Sequence, residues 1–284
     1  MDRLISLKAE LDAIAEAHSG KVTYALTDLE SRGHVARDED DTMPAASLIK
    51  VPVLTALYQA VHDGRVRLDD TITYGEEHTC LGSGVLQRLT PGVTMTVRDA
   101  AVLMIIISDN SATNMCIDTA GLDAVNAQMR RYGLERTTLF HRLGDPAAGL
   151  DGRNHNVSTA NEMTRLLELI ARHEAVSDDA SEDMLRIMRR QDYRHELSRE
   201  LPWNELNMLP DHQTNWVAEK GGAFLNGVRC SGAVFHGARG HFVMSAFCEG
   251  GTGAGGSGRE SEGNVTVGRL GYAAWRALAA PEGT

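Results

Sequence analysis

Segments that read as β-strand lie at the two ends of this chain, and helical periodicity fills most of what lies between them. KVTYALTDLE (Lys21 to Glu30) and the run from His34 to Arg37 flank Ser31-Arg32-Gly33, the pattern of a hairpin. Strand patterns return only near Trp216, in TNWVAEK, GVRCSGAVFH and HFVMSAFCE, separated by short turns containing Gly or Asn. From Ala46 to about Arg190, SLIKVPVLTALYQAV, VRDAAVLMIII, TANEMTRLLELI and SEDMLRIMRR carry apolar residues at helical spacing. A helix precedes the first strand, with Leu4, Ile5, Leu7, Leu11 and Ile14 predicted on one face, and another follows the last, from Val265 to Ala279. The expectation is an α/β fold in which an antiparallel sheet is flanked by the terminal helices and interrupted by an inserted all-α domain. The boundaries are 1–45 and 195–284 for the discontinuous α/β domain and 46–194 for the helical one, with the active site between them.

Composition narrows the partners. The 284 residues are 42% hydrophobic and carry a formal net charge of -11, without a basic stripe, which disfavours nucleic acid and anionic membrane surfaces. Small molecules or peptides are the expected partners, and a monomer the expected state. Cys80, Cys116, Cys230 and Cys248 are scattered with no C-x-x-C pair, so they read as free, buried thiols and not as a zinc or dithiol site. The charges within the first helix distinguish it from a secretory leader, and no apolar stretch approaches the roughly 20 residues of a membrane span. The sequence as it stands reads as cytoplasmic, or as secreted or periplasmic if a leader has been removed.

Three short motifs carry chemistry. Ser47-Leu48-Ile49-Lys50 opens an apolar-periodic helix, and i, i+3 spacing puts the hydroxyl and the amine on one face, where they can share a proton. A serine hydroxyl is a poor nucleophile until a base takes its proton, and lysine serves as that base only when burial or a neighbouring cation lowers its pKa. Near a helix start, the Ser47 N–H also lies where a developing oxyanion is stabilised. Ser108-Asp109-Asn110 follows VLMIII, so a buried run delivers three polar residues to one point, with Asp109 or Asn110 placed to cap the next helix. Lys220-Gly221-Gly222 ends the strand TNWVAEK, and its glycine pair lets a ligand approach the strand edge closely.

The order S-x-x-K, S-D-N, K-x-G on helix, helix junction and strand resembles the class A β-lactamase and penicillin-binding-protein family over nearly the whole chain. That resemblance implies a β-lactamase-like fold and no cofactor or metal. It implies Ser47 as the acylated nucleophile, Lys50 as its proton partner and Ser108 as the proton shuttle to the leaving nitrogen. Asn110 would bind the substrate amide, Lys220 would hold Ser108 and attract a substrate carboxylate, and the N–H groups of Ser47 and Ala223 would form the oxyanion hole. Gly221 and Gly222 would line the substrate's path along the strand.

The sequence departs from the family pattern twice. Gly221 stands where the family has Thr or Ser, removing a hydroxyl for the substrate carboxylate, and Arg229 on the next strand is a candidate replacement cation. The family's E-x-x-L-N stretch is absent. An ungapped comparison puts Leu143 at the position of the glutamate that activates the deacylating water, leaving Asp145, Asp151, His141 and His155 as other possible bases. The expected function is therefore serine acyl transfer on a β-lactam through a Ser47 acyl-enzyme, with slow deacylation. An esterase or peptidase acting on a metabolite is the alternative enzyme, and a catalytically idle ligand-binding module the alternative from another class. Gly251, Gly253 and Gly256 match a dinucleotide-loop pattern but open no helix, and His236 and His241 lack a third ligand, so neither set is read as a site.

Overall fold

A computed structural model describes residues 2–146, 155–202, 215–252 and 260–281. Helix α1 (Asp2–Glu16) leads into strands β1 (Lys21–Asp28), β2 (His34–Arg37) and β3 (Met43–Pro44), and a 3-10 turn over Ala46–Ile49 continues directly as α2 (Lys50–His62). Strands β4 (Thr71–Thr73) and β5 (Thr94–Thr96) precede α3 (Val97–Ile106), α4 (Asn110–Ala120) and α5 (Leu122–Arg131). Then come β6 (Val157–Ser158), α6 (Ala160–Ala171), α7 (Asp178–Arg189), β7 (Trp216–Ala223), β8 (Arg229–Gly237), β9 (Gly240–Glu249) and α8 (Glu262–Leu278). Among the described residues, no helix is long and apolar enough to cross a membrane.

The two ends of the chain meet in one antiparallel sheet of order β2-β1-β9-β8-β7. Strand β1 lies against β9 from Lys21 opposite Glu249 to Asp28 opposite Phe242. Six consecutive residues of β1 are buried, as expected for a sheet covered on both faces. Val22, Tyr24 and Leu26 pack outward on Leu7 and Leu11 of α1 and on Val267, Leu270 and Trp275 of α8. Ala25, Ala218, Val234, Val243 and Phe247 face inward, in one core with Leu48, Leu54, Leu167 and Met184 of the helical block. The apolar stripe of α1 is narrower than predicted. Leu4 and Ile14 are partly buried beside Leu7 and Leu11, but Ile5, one residue and about 100° around the helix from Leu4, is 63% exposed.

Two small ribbons that periodicity did not reveal border or lie within the helical block, β3 with β6 and β4 with β5. Across its helices, Tyr58 Oη donates to Asp183 at 2.5 Å, and Arg98 grips the same carboxylate with both terminal nitrogens. This clamp joins α2, α3 and α7. The edge strand β7 bears on the 3-10 turn in front of α2, and that junction positions the site.

Candidate active site

Ser47 sits in the first turn of the 3-10 segment, partly exposed, while Leu48, Ile49 and Lys50 behind it are fully buried. A regular helix starting at Ser47 was expected. The structure instead enters through Ala46 at φ +41°, a left-handed conformation that a non-glycine residue adopts only where its surroundings enforce it. In this turn the Leu48 amide donates to the Ala45 carbonyl at 2.8 Å, with the Ser47 amide just ahead of it. Strand β7 passes directly over them: a Cβ added to Gly222 would lie 2.7 Å from Ser47 N and 2.9 Å from Leu48 N. The glycine predicted to admit a ligand thus first admits the helix terminus, and the close approach brings the β7 backbone at Gly222 beside the Ser47 amide. Cys230 Sγ, 3.1 Å from the Ala45 carbonyl, fastens the segment from below.

Lys50 Nζ is fully buried within hydrogen-bond reach of three acceptors, Ser108 O at 2.8 Å, Ser108 Oγ at 2.9 Å and Asn110 Oδ1 at 2.9 Å. Ser108 reaches it because the junction between α3 and α4 turns through φ +54° at that residue. On the other side, Lys220 Nζ lies 3.2 Å from Ser108 Oγ and 2.5 Å from Gly221 O. One hydroxyl therefore bridges two buried amines. Burial, and next the positive charge of Lys220, hold Lys50 well below the ordinary lysine pKa, against the opposing pull of Asp109. As a neutral amine, Lys50 can donate to Ser108 O and Asn110 Oδ1 and accept from the Ser108 hydroxyl. As an ammonium it can donate to all three, so the same geometry fits both protonation states.

Asp109 caps α4, accepting from Ala112 N at 2.9 Å, and also accepts from Val85 N and Leu86 N at 2.6 and 2.9 Å. The cap was legible in the sequence; the tether to the 80–88 loop was not. Asn110 Nδ2 donates to Leu81 O at 2.9 Å, completing the attachment of that loop to the start of α4. Cys80 is buried beneath it, and the other three cysteines are buried and free.

One helical turn beyond Asn110, Asn114 clamps the backbone of Leu143, donating to its carbonyl at 3.0 Å and accepting from its amide at 2.9 Å. Asn114 has no place in the three motifs, yet it fixes Leu143 on the α4 face that carries Asn110. Of the other expected bases, His155 stacks on Phe224 at 4.2 Å, and Asn156 Oδ1 accepts from the backbone amide of His141 at 3.2 Å. Asp145 lies two residues past Leu143, and Asp151 falls outside the described residues.

Behind β7 lies a buried charged cluster that no sequence motif announced. Glu219, fully buried, accepts from Ser231 Oγ at 2.7 Å and from Ser198 Oγ. Glu196, 7% exposed, accepts from His195 N at 3.3 Å and fills the space beside Gly221, where an added Cβ would lie 2.6 Å from its carboxyl carbon. Burial, and next the charge of Glu219, push the Glu196 carboxyl well above its ordinary pKa. Burial pushes Lys220 down while Glu196, Cys230 and Glu219 hold it up. Arg229, read from sequence as a possible carboxylate cation, is 1% exposed and donates through Nη1 to Phe224 O and Val228 O, both at 2.7 Å, bracing the turn between β7 and β8. His236 and His241 stack on each other at 3.8 Å beneath Trp216 at the far end of the sheet. Among the described residues, no group of three or more His, Cys, Asp or Glu is placed to hold a metal ion.

A family model described as the beta-lactamase enzyme family matches residues 6–278. In sequence, the chain is 29% identical over 160 residues to a D-alanyl-D-alanine endopeptidase of Pseudomonas aeruginosa, covering 54% of this chain and 44% of that protein. It spans under half the length of the curated relatives it matches. In structure, it resembles a beta-lactamase from Sphaerobacter thermophilus at TM-score 0.84 and 26% identity, over 96% of this chain and 97% of that one. It also resembles PBP-A, solved as a leucine-to-glutamate variant in an acyl-enzyme complex with penicillin G, at TM-score 0.81 and 24% identity over 96% of both chains.

Proposed function

The chain belongs to the beta-lactamase enzyme family and has its fold, and from that premise we propose that it opens β-lactam amides through an acyl-enzyme on Ser47 that hydrolyses slowly. The observation that carries this reading is the fully buried Lys50, poised 2.9 Å from Ser108 Oγ with Lys220 on the far side of the same hydroxyl. Burial and the neighbouring positive charge of Lys220 lower the pKa of this lysine, which suits it to take a proton from Ser47.

As Ser47 Oγ attacks the lactam carbonyl, its proton passes to Lys50, and the oxyanion is met by the N–H groups of Ser47 and Ala223. When the carbon–nitrogen bond breaks, the Ser108 hydroxyl gives its proton to the leaving nitrogen and regains one from Lys50, which returns to the neutral amine. Asn110 binds the substrate amide, and Lys220 steadies Ser108 while drawing in a carboxylate. Gly222, by admitting the helix terminus, keeps the two oxyanion donors together.

Deacylation lacks the same provision. Leu143, clamped by Asn114, offers no proton acceptor at the position that the loop comparison gives to the family's glutamate. General-base assistance is typically worth 10² to 10⁴-fold, so the acyl-enzyme persists. The experiment that tests this is Leu143→Glu. Stopped-flow turnover of benzylpenicillin should show a burst of one equivalent followed by a slow phase. Fast turnover with no burst would contradict the slow deacylation.

A second reading, an esterase or peptidase of penicillin-binding type, is favoured by Gly221 and Leu143 together. Rapid turnover of an activated ester beside a stable penicillin adduct would support it.

A further inference from the structure

Gly221 lacks the hydroxyl that the family places beside the lysine of the third motif, but the space is not empty. The carboxyl group of Glu196 occupies it, with Cδ 2.6 Å and Oε1 3.0 Å from where a Cβ on residue 221 would lie. We infer that Glu196, in its protonated form, supplies the missing hydrogen-bond donor and holds a carboxylate on the substrate beside Lys220. The inference rests on the acyl-enzyme reading and adds to that site one specificity-determining residue for the substrate carboxylate.

The surroundings of Glu196 support a neutral carboxyl. From β7 it faces Glu219 and Lys220, from β8 Arg229 and Cys230, from β9 Cys248, and from its own segment the His195 amide. Glu219 accepts from the hydroxyls of Ser198 and Ser231. A second buried carboxylate there would face the first with little water to screen it. With Glu196 protonated, the positive charges of Lys220, Arg229 and Arg194 exceed the single negative charge of Glu219, which suits an anionic ligand. With Glu196 ionised, the carboxylate site loses its donor and one unit of that excess charge.

The same contact explains why the third motif tolerates glycine. A threonine at 221 would drive its side chain into the Glu196 carboxyl, so the two positions are one device: a small residue on the strand and a donor delivered from the 190–201 segment.

Binding of benzylpenicillin to the Ser47→Ala protein, measured by calorimetry, separates recognition from acylation. On that background, Glu196→Ala should weaken binding roughly ten- to hundredfold at pH 7, the range of one hydrogen bond to a charged group. Glu196→Gln, which keeps the shape and an N–H donor, should stay within a few-fold of the parent. Adding Gly221→Thr to Glu196→Ala should restore binding. Between pH 6 and 9, affinity should fall more steeply with Glu196 present, where two groups titrate, than in the Gln variant, where Lys220 alone does. Unchanged or tighter binding in Glu196→Ala would overturn the inference, the latter by showing an ionised carboxylate that repels the ligand. Equal weakening in the Ala and Gln variants would also overturn it. If Glu196 governs binding but the wild-type protein is never acylated, the acyl-enzyme reading falls and this one stands.

Discussion

The sheet comes close to the helix that carries Ser47 at Gly222, and Gly222→Ala tests that approach. The new Cβ would lie 2.7 Å from Ser47 N, 2.9 Å from Leu48 N and 2.9 Å from Cys230 Sγ. Two of these atoms are backbone and cannot swing aside. Ordinary carbon–nitrogen contact requires about 3.5 Å, so strand and helix must separate by roughly 0.6 to 0.8 Å. Overpacking of this kind typically destabilises by about 1 to 3 kcal/mol, which for a chain of this size lowers Tm by roughly 2 to 10 °C. The effect on chemistry should be larger. Separating the Ser47 and Ala223 amides would disrupt the proposed two-donor oxyanion site, and loss of one such donor commonly slows a reaction 10² to 10³-fold. Stopped-flow acylation with a fluorescent penicillin, beside a thermal melt, reads both quantities. A variant that acylates within threefold of wild type and melts at the same temperature would refute the placement of β7 over the helix terminus.

Acylation should rise with pH through the pKa of Lys50, well below that of an ordinary lysine. Lys220→Met, by removing the positive charge that disfavours the Lys50 ammonium, should raise that pKa and move the limb to higher pH; an unmoved limb would show the two amines to be uncoupled. Leu143→Glu should accelerate the slow phase of penicillin turnover by about 10² to 10⁴-fold and leave the burst rate unchanged, since only deacylation gains a base. Burial opposes ionisation of Asp183, but hydrogen bonds from Arg98 and Tyr58 win and hold its carboxyl below the usual range. A depressed carboxylate contributes stability that is present above the unfolded pKa of about 3.9 and is lost as pH falls through the folded value. Asp183→Asn should therefore destabilise the protein by about 2 kcal/mol at pH 7, and the gap in Tm should close as the melts are taken from pH 6 toward pH 3. A gap independent of pH would assign the loss to packing.

The strands, the terminal helices and the helical block were legible because apolar patterning is a local property, and burial of both sheet faces makes the strands near-continuous apolar runs. The three motifs were legible for a related reason: a buried run such as VLMIII that ends in Ser108-Asp109-Asn110 has to place those polar groups against partners. What the sequence did not disclose depends on contacts between distant segments. Ala46 and Ser108 adopt left-handed backbone that their identities do not request, and only the meeting of α2, α4 and β7 enforces it. Glu196 lies in a segment without period or motif, 25 residues before Gly221 in the sequence, and its only trace was the side chain that Gly221 lacks. Asn114 left a fainter trace still, one turn past Asn110 on the same helix face. Arg229 was legible as a cation near the site, but its hold on the β7–β8 turn follows from burial that a strand pattern does not specify.

The claim on which the rest depends is that Ser47 becomes covalently acylated. Intact-protein mass spectrometry after incubation with benzylpenicillin, followed by peptide mapping, reads it directly. The wild-type protein should gain the mass of one penicilloyl group, located on the peptide that contains Ser47, and Ser47→Ala should gain nothing while melting within a degree or two of wild type. A Ser47→Ala protein that still carries the adduct, or a wild-type protein that is modified at another residue, would contradict the account.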